Sequence, residues 1–150
     1  MQETSTATTI AEVEKQLRYI SGIIKQRGRE ILANYPITPP QFVALQWLSE
    51  KGDLTIGELS NHINLAFSTT TDLVDRMEKN VLVERTRDVK DRRVVRIHLL
   101  DKGKQIIEEV IMMRQQYLGE VLKNVSTEQV DTLNHLLHVL HEQMKIEKEN

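Results

Sequence analysis

Between Thr55 and Asn80 the chain has room for two short helices joined by a tight turn, and for little else. Thr55-Ile-Gly-Glu58 has the pattern of a capping box, in which a Thr hydroxyl takes the backbone N–H three residues on and the Glu carboxylate reaches back. It predicts a short helix through Leu59 to Ile63, with Asn64 and Leu65 as the turn. The next stretch, AFSTTTDLVDRMEKN at residues 66–80, spaces Leu73, Val74 and Met77 for one helical face with charges between them. Short helix, tight turn and second helix in series are the layout of a helix-turn-helix.

The second helix opens with Ser68, Thr69, Thr70 and Thr71. β-Branching and backbone-seeking hydroxyls make such residues poor helix formers. One of them suffices as a cap, so four in succession ask for another use. The first turn of a recognition helix faces base edges and phosphates, where short hydroxyls let the helix sink deep and can donate or accept. The free N–H groups at that end favour phosphate. Two turns on, Arg76 suits a phosphate, and Lys79 can reach one too.

The rest of the chain reads as mostly helical. Ile10, Val13, Leu17, Ile20, Ile24 and Ile31 give a helix over 8–33 capped by Thr8 or Thr9. Thr38-Pro-Pro-Gln41 is another capping box, with proline at the first helical position, and opens a helix that Gly52 stops. Val81–Val83 and Val94–Leu99 are β-branched runs flanking RTRDVKDRR at 85–93, which predicts a hairpin with a basic tip. Helix resumes after Asp101 through Ile106, Val110, Met113, Tyr117 and Val121, and Ser126-Thr-Glu-Gln129 caps a last one. The first and last helices carry clean apolar stripes far apart in sequence, which predicts a two-fold dimer that buries them.

Charge fits either a localised polyanion footprint or, as is commoner for such a segment taken alone, a solvated charged face. The chain is −2 overall, yet Asp75 to Arg96 holds eight Lys/Arg and five Asp/Glu, with the compensating acid on either side. In the hairpin, Arg85, Arg87, Lys90, Arg92, Arg93 and Arg96 crowd together. An arginine on such a tip can enter an A·T-rich minor groove. Asp91 is placed to hold the Arg93 guanidinium, while Arg92 and Arg96 serve phosphates or the hairpin's own ion pairs. Cysteine is absent, which removes disulfides, thiol chemistry and cysteine-ligated zinc. No apolar run approaches the roughly 20 residues of a membrane span, and the N-terminus lacks the marks of a signal peptide, so a cytoplasmic protein is expected.

The run from Leu59 to Gly103, with DLVDRMEK, LVERTRD and DRR-VVRIHL-DKG in order, resembles the MarR-type winged helix-turn-helix regulators, and the likeness spans essentially the whole chain. It implies a mainly α fold with a small β-hairpin wing. The helix of 1–36 and those of 101–150 would serve dimerisation, and 37–100 would bind DNA. The implied function is transcriptional regulation, as a repressor released by a ligand, by a homodimer on pseudo-palindromic double-stranded DNA. The recognition helix matches 67–79, with Phe67, Ser68, Thr69, Thr70, Thr71, Arg76 and Lys79 as its DNA-facing residues. The wing brings Arg87, Lys90, Asp91, Arg92 and Arg93, with Arg93 as the wing arginine and Asp91 its supporting acid. The family also implies a small-molecule effector pocket, for which Arg18, Tyr19, Phe42 and Trp47 are the candidates; packing in the core is the competing use of Phe42 and Trp47.

Two positions depart from the family pattern. Val81 stands where Gly is usual, leaving Asn80 to supply a left-handed cap, and Leu100 stands where Thr is usual, leaving Asp101 as N-cap. Without cysteine, the thiol-peroxide-sensing branch is excluded. His135, His138 and His141 fan around the last helix opposite its leucine stripe and do not converge on a metal, so neither metal nor cofactor is expected. No catalytic constellation stands out. The competing readings are a helical protein-interaction module and a small-molecule carrier or enzyme.

Overall fold

The computed structural model describes residues 2–149, with side chains from residue 6 onward. It contains α1 (Gln2–Leu32), α2 (Pro39–Lys51), β1 (Leu54–Thr55), α3 (Ile56–Ile63), α4 (Phe67–Lys79), β2 (Val83–Arg87), β3 (Val95–Leu99), α5 (Asp101–Leu122) and α6 (Thr127–Glu149). The chain divides into two compact units, Met1–Met112 and Met113–Asn150. No described helix is long and apolar enough to cross a membrane.

Local chemistry sets most boundaries of the first unit. Both capping boxes form: Gln41 N–H and Glu58 N–H donate to Thr38 Oγ1 (3.4 Å) and Thr55 Oγ1 (3.1 Å), and both side chains accept in return. Three strands make one antiparallel sheet in the order β1-β3-β2. Leu54 faces Ile97, and the β2–β3 hairpin runs from Val83 opposite Leu99 to Arg87 opposite Val95. The two-residue β1 carries no periodicity and was not expected. The hairpin loop is 88–94, shorter than the 85–93 tip expected, because ladder pairing continues out through the charged residues.

The core of this unit is assembled from every element around α4. Leu45, Leu59, Val74, Met77, Leu82, Ile97 and Val110 have no exposed surface, and Phe42 and Val83 have 1%. α5 enters this core on a glycine. A Cβ on Gly103 would lie 2.6 Å from the Leu82 carbonyl oxygen and 2.7 Å from Leu99 Cδ1, closer than packed atoms can come. The second unit has the opposite character: α6 buries none of its described residues, and Leu133, Leu136, Leu137 and Met144 are 42–56% exposed.

Three expected caps differ. α1 begins at Gln2, so Thr8 and Thr9 sit inside the helix and neither caps it. Lys104 N–H donates to the Leu100 carbonyl, so Leu100 is the N-cap of α5. Asp101 is instead its first helical residue, where its charge meets the positive helix end. After α4, Asn80 keeps a negative φ of −88° and Val81 takes the left-handed conformation at φ 62°. The reversal is fixed by Leu82 N–H donating to the Met77 carbonyl at 2.9 Å, and the side chain of Val81 is left 59% exposed.

That conformation is costly for a β-branched residue and free for glycine. Val81→Gly therefore removes strain while sacrificing little packing, and is expected to stabilise the chain by about 0.5–1 kcal/mol. Urea unfolding at one fixed protein concentration checks this; a loss of stability would contradict it.

Candidate nucleic-acid interface

The turn between α3 and α4 fixes which way α4 points. Asn64 takes the left-handed conformation (φ 56°) and Leu65 N–H donates to the Ser60 carbonyl. Ala66 is the N-cap of α4 and offers no side-chain acceptor. From there Thr70, Val74 and Met77 face the core, each fully buried. At 100° per residue this sends Ser68, Thr69, Asp72, Arg76 and Lys79 to the opposite face, and all five are exposed. Phe67, at the helix tip, is 62% exposed.

The four hydroxyls expected to face DNA therefore divide. Thr70 is a core residue, its hydroxyl donating to the Ala66 carbonyl at 3.0 Å, and so is not an outward contact. Thr71 turns its hydroxyl back onto the Phe67 carbonyl at 3.0 Å. Such back-bonding satisfies a hydroxyl that the helix would otherwise leave unpaired. Ser68 and Thr69 are exposed, and among the described residues nothing bonds their hydroxyls.

The cations divide in the same way. Arg85 is structural: its guanidinium meets Asp75 at 2.6 Å and Glu78 at 2.7 Å, and its own N–H donates to Glu78 at 3.0 Å. Desolvation opposes its charge, but the two carboxylates outweigh that and raise its pKa above the ordinary value. Arg96 is structural as well, spanning Asp88 at 3.3 Å and Glu58 at 3.4 Å. Glu58 in turn completes the capping box of α3 with Thr55, so the wing is braced against the helix-turn-helix. Glu58 sits below its ordinary pKa, chiefly through the Thr55 backbone N–H.

The loop of 88–94 is closed on itself. Asp88 accepts the N–H groups of Lys90 (2.8 Å) and Asp91 (3.3 Å), Asp88 N–H reaches the Val94 carbonyl, and Arg87 donates to the Arg92 carbonyl at 2.8 Å. Beyond this frame Arg93 projects with its side chain 91% exposed, held by Asp91 at 3.1 Å. Among the described residues the side chains of Arg76, Lys79, Lys90 and Arg92 have no ion-pair partner, and all four are exposed. The backbone N–H groups hold the Asp88 carboxyl below its ordinary pKa, and the Arg93 guanidinium does the same for Asp91.

The effector candidates fall into two pairs, Arg18 with Tyr19 on α1 and Phe42 with Trp47 on α2. Phe42 is core, 1% exposed, which is the packing use named beside the pocket. Trp47 stacks on His62 with ring centroids 4.5 Å apart. Arg18 pairs with Glu14 at 3.1 Å, and Tyr19 lies exposed on α1 under the Lys15 and Arg18 cations. On α6, His138 and His141 share a shallow groove with Leu137, Leu140 and Met144, so His141 flanks the apolar stripe rather than opposing it. Among the described residues no three His, Cys, Asp or Glu side chains are grouped to hold a metal ion.

A helix-turn-helix with an outward second helix, followed by a braced cationic hairpin, defines a winged helix-turn-helix protein. Comparison with known proteins agrees. The MarR family model matches residues 37–95. The HTH-type transcriptional regulator YsmB of Bacillus subtilis (strain 168) is 58% identical over 136 residues, 91% of this chain and 93% of that protein. The HTH-type transcriptional repressor MdtR of the same organism is 27% identical over 127 residues, 85% of this chain and 82% of its own length. A solved MarR family protein from Bacillus stearothermophilus shares 63% identity with a TM-score of 0.87, covering 91% of this chain and 96% of that one. The chain belongs to the MarR family of transcriptional regulators.

Reading from sequence alone missed two features of this surface. One is the link from Arg96 to Glu58, 38 residues away and without local signal, although the pairing of Arg96 within the hairpin, here with Asp88, was expected. The other is Asp72, four residues from both Ser68 and Arg76, a spacing that the sequence does contain.

The loop also makes a prediction for pH. Asp88 and Asp91 both titrate below the ordinary 3.8 in the folded chain. The bonds they accept thus contribute fully above pH 3.8, and the contribution is lost as pH falls through the folded values. The Lys90 and Asp91 amide resonances are expected to hold their positions from pH 7 to 5 and to move only below 3.8. Movement between pH 5 and 7 would contradict the geometry.

Proposed function

We propose that this chain acts in the cytoplasm as a homodimeric repressor on an inverted-repeat operator. The observation that carries the proposal is the sorting of side chains on one surface. Arg85 and Arg96 spend their charge on internal carboxylates, while Arg76, Lys79, Lys90, Arg92 and the projecting Arg93 keep theirs outward beside Ser68 and Thr69. α4 supplies major-groove contacts through Phe67, Ser68 and Thr69 and phosphate contacts through Arg76 and Lys79. The wing supplies Arg93 to a minor groove, with Arg87, Lys90 and Arg92 at the backbone.

The exposed apolar faces of the terminal helices support the dimeric reading. Ile20, Ile23 and Ile24 of α1 are 48–57% exposed, and Leu133, Leu136 and Leu137 of α6 are 42–56% exposed. A second copy of the chain covers such surfaces without a foreign partner. Two recognition helices then meet half-sites spaced by about 10 bp or a multiple. The repressor role is that of the relative MdtR, extended to this chain. With Phe42 and Trp47 used in packing, an effector site drawn from Arg18 and Tyr19 needs the second copy's helices to close it.

A comparison of two arginines tests the proposal. Arg93→Ala is expected to lower affinity for the operator about tenfold or more and to leave thermal unfolding unchanged. Arg85→Ala is expected to destabilise the fold by about 1–2 kcal/mol. Mobility shifts against a duplex from the region upstream of the gene, with unfolding measured on the same samples, read both. Equal operator affinity for Arg93→Ala and the wild type would remove the wing from DNA recognition. Sedimentation as a monomer at micromolar concentration would overturn the dimeric reading.

A further inference from the structure

The outer face of α4 carries a carboxylate that neither the fold nor non-specific DNA binding accounts for. Asp72 is exposed, and among the described residues no hydrogen bond or ion pair engages it. Four of the five acids between Asp75 and Arg96 are engaged, Asp75 and Glu78 with Arg85, Asp88 with Arg96, and Asp91 with Arg93; the fifth, Glu84, lies on β2 rather than on α4. Asp72 stands one turn from Ser68 and Thr69 on the tip side and one turn from Arg76 on the other. It is thus central to the surface that the proposed function turns toward the duplex. A carboxylate there repels phosphate and has only acceptor atoms, so it gains nothing from most of what a duplex presents.

The major groove does offer matching donors. Cytosine shows its N4 amino group there, the usual partner of Asp or Glu in base readout. Adenine shows an amino group too, but beside the N7 acceptor, which repels a carboxylate and suits an amide. We propose that Asp72 is a specificity-determining residue that accepts a hydrogen bond from the N4 amino group of one cytosine in each half-site, and that it rests on the DNA-reading role above. The same charge penalises every duplex that places an acceptor or a phosphate opposite it. Asp72 therefore lowers affinity for DNA at large while raising discrimination, a repulsive element built into a cationic surface.

Selection from a randomised duplex library, followed by sequencing, tests this on the full chain, comparing the wild type, Asp72→Ala and Asp72→Asn. Asp72 is exposed and unbonded, so both variants should fold, which circular dichroism verifies. The wild type is expected to favour C·G by about five- to tenfold at one symmetric position in each half-site. Asp72→Ala is expected to lose preference there alone and to bind non-operator duplex about two- to fivefold more tightly. Asp72→Asn is expected to move the preference to adenine, which an Asn amide reads in bidentate fashion. Identical base preferences for the wild type and Asp72→Ala at every position would overturn the assignment while leaving DNA binding intact. Retention of no duplex by the wild type would overturn the DNA-reading role itself, and this assignment with it.

Discussion

Everything this chain presents to the outside from α4 follows from how three side chains are buried. Thr70, Val74 and Met77 lock one face of the helix against the shared core of Leu45, Leu59, Leu82 and Ile97. Once that face is fixed, the 100° step of the helix leaves no freedom over which residues turn outward. A threonine in the middle of this face is tolerated because its hydroxyl has the Ala66 carbonyl, and its methyl packs like the valine one turn on. The short left-handed turn at Asn64 then sets the angle between α3 and α4.

Electrostatics build a second level on that packing. Exposed ion pairs add little stability one at a time. The pairs around Arg85 and Arg96 also give direction: the part-buried Arg85, held by two carboxylates, stabilises the fold as it fastens β2 to α4, and Arg96 fastens the loop through Asp88 to the cap of α3. The wing is thereby tied to the helix beside it by charges already neutralised, and the arginines beyond the ties keep their charge. A segment with a modest excess of cations thus shows a strongly cationic outer surface.

Features written in local chemistry were legible in the sequence. Both capping boxes, the Ser126 cap and the Arg93–Asp91 pair depend on residues at most three apart, the helix-turn-helix order depends on helical periodicity over a short segment, and all appear where expected. What was not legible depends on the tertiary partner. Thr70 and Thr71 look alike beside Ser68 and Thr69 until the core chooses a face. Phe42 and Trp47 fit a pocket or the core by sequence, and packing in the core and against His62 is what takes them. Val81 was passed over for Asn80 as the left-handed residue because propensity favours Asn. The hydrogen bond from Leu82 to Met77 overrode that preference.

The capping box that opens α2 has a further effect at a distance from its own helix. Pro39 and Pro40 carry no N–H, Gln41 N–H is taken by the Thr38 hydroxyl, and Phe42 N–H by the Thr38 carbonyl. That helix end is chemically mute toward an anion. At α4 the alanine cap leaves the first backbone donors uncovered. One molecule thus carries a sealed helix mouth and an open one, and only the second keeps main-chain donors to offer an anion.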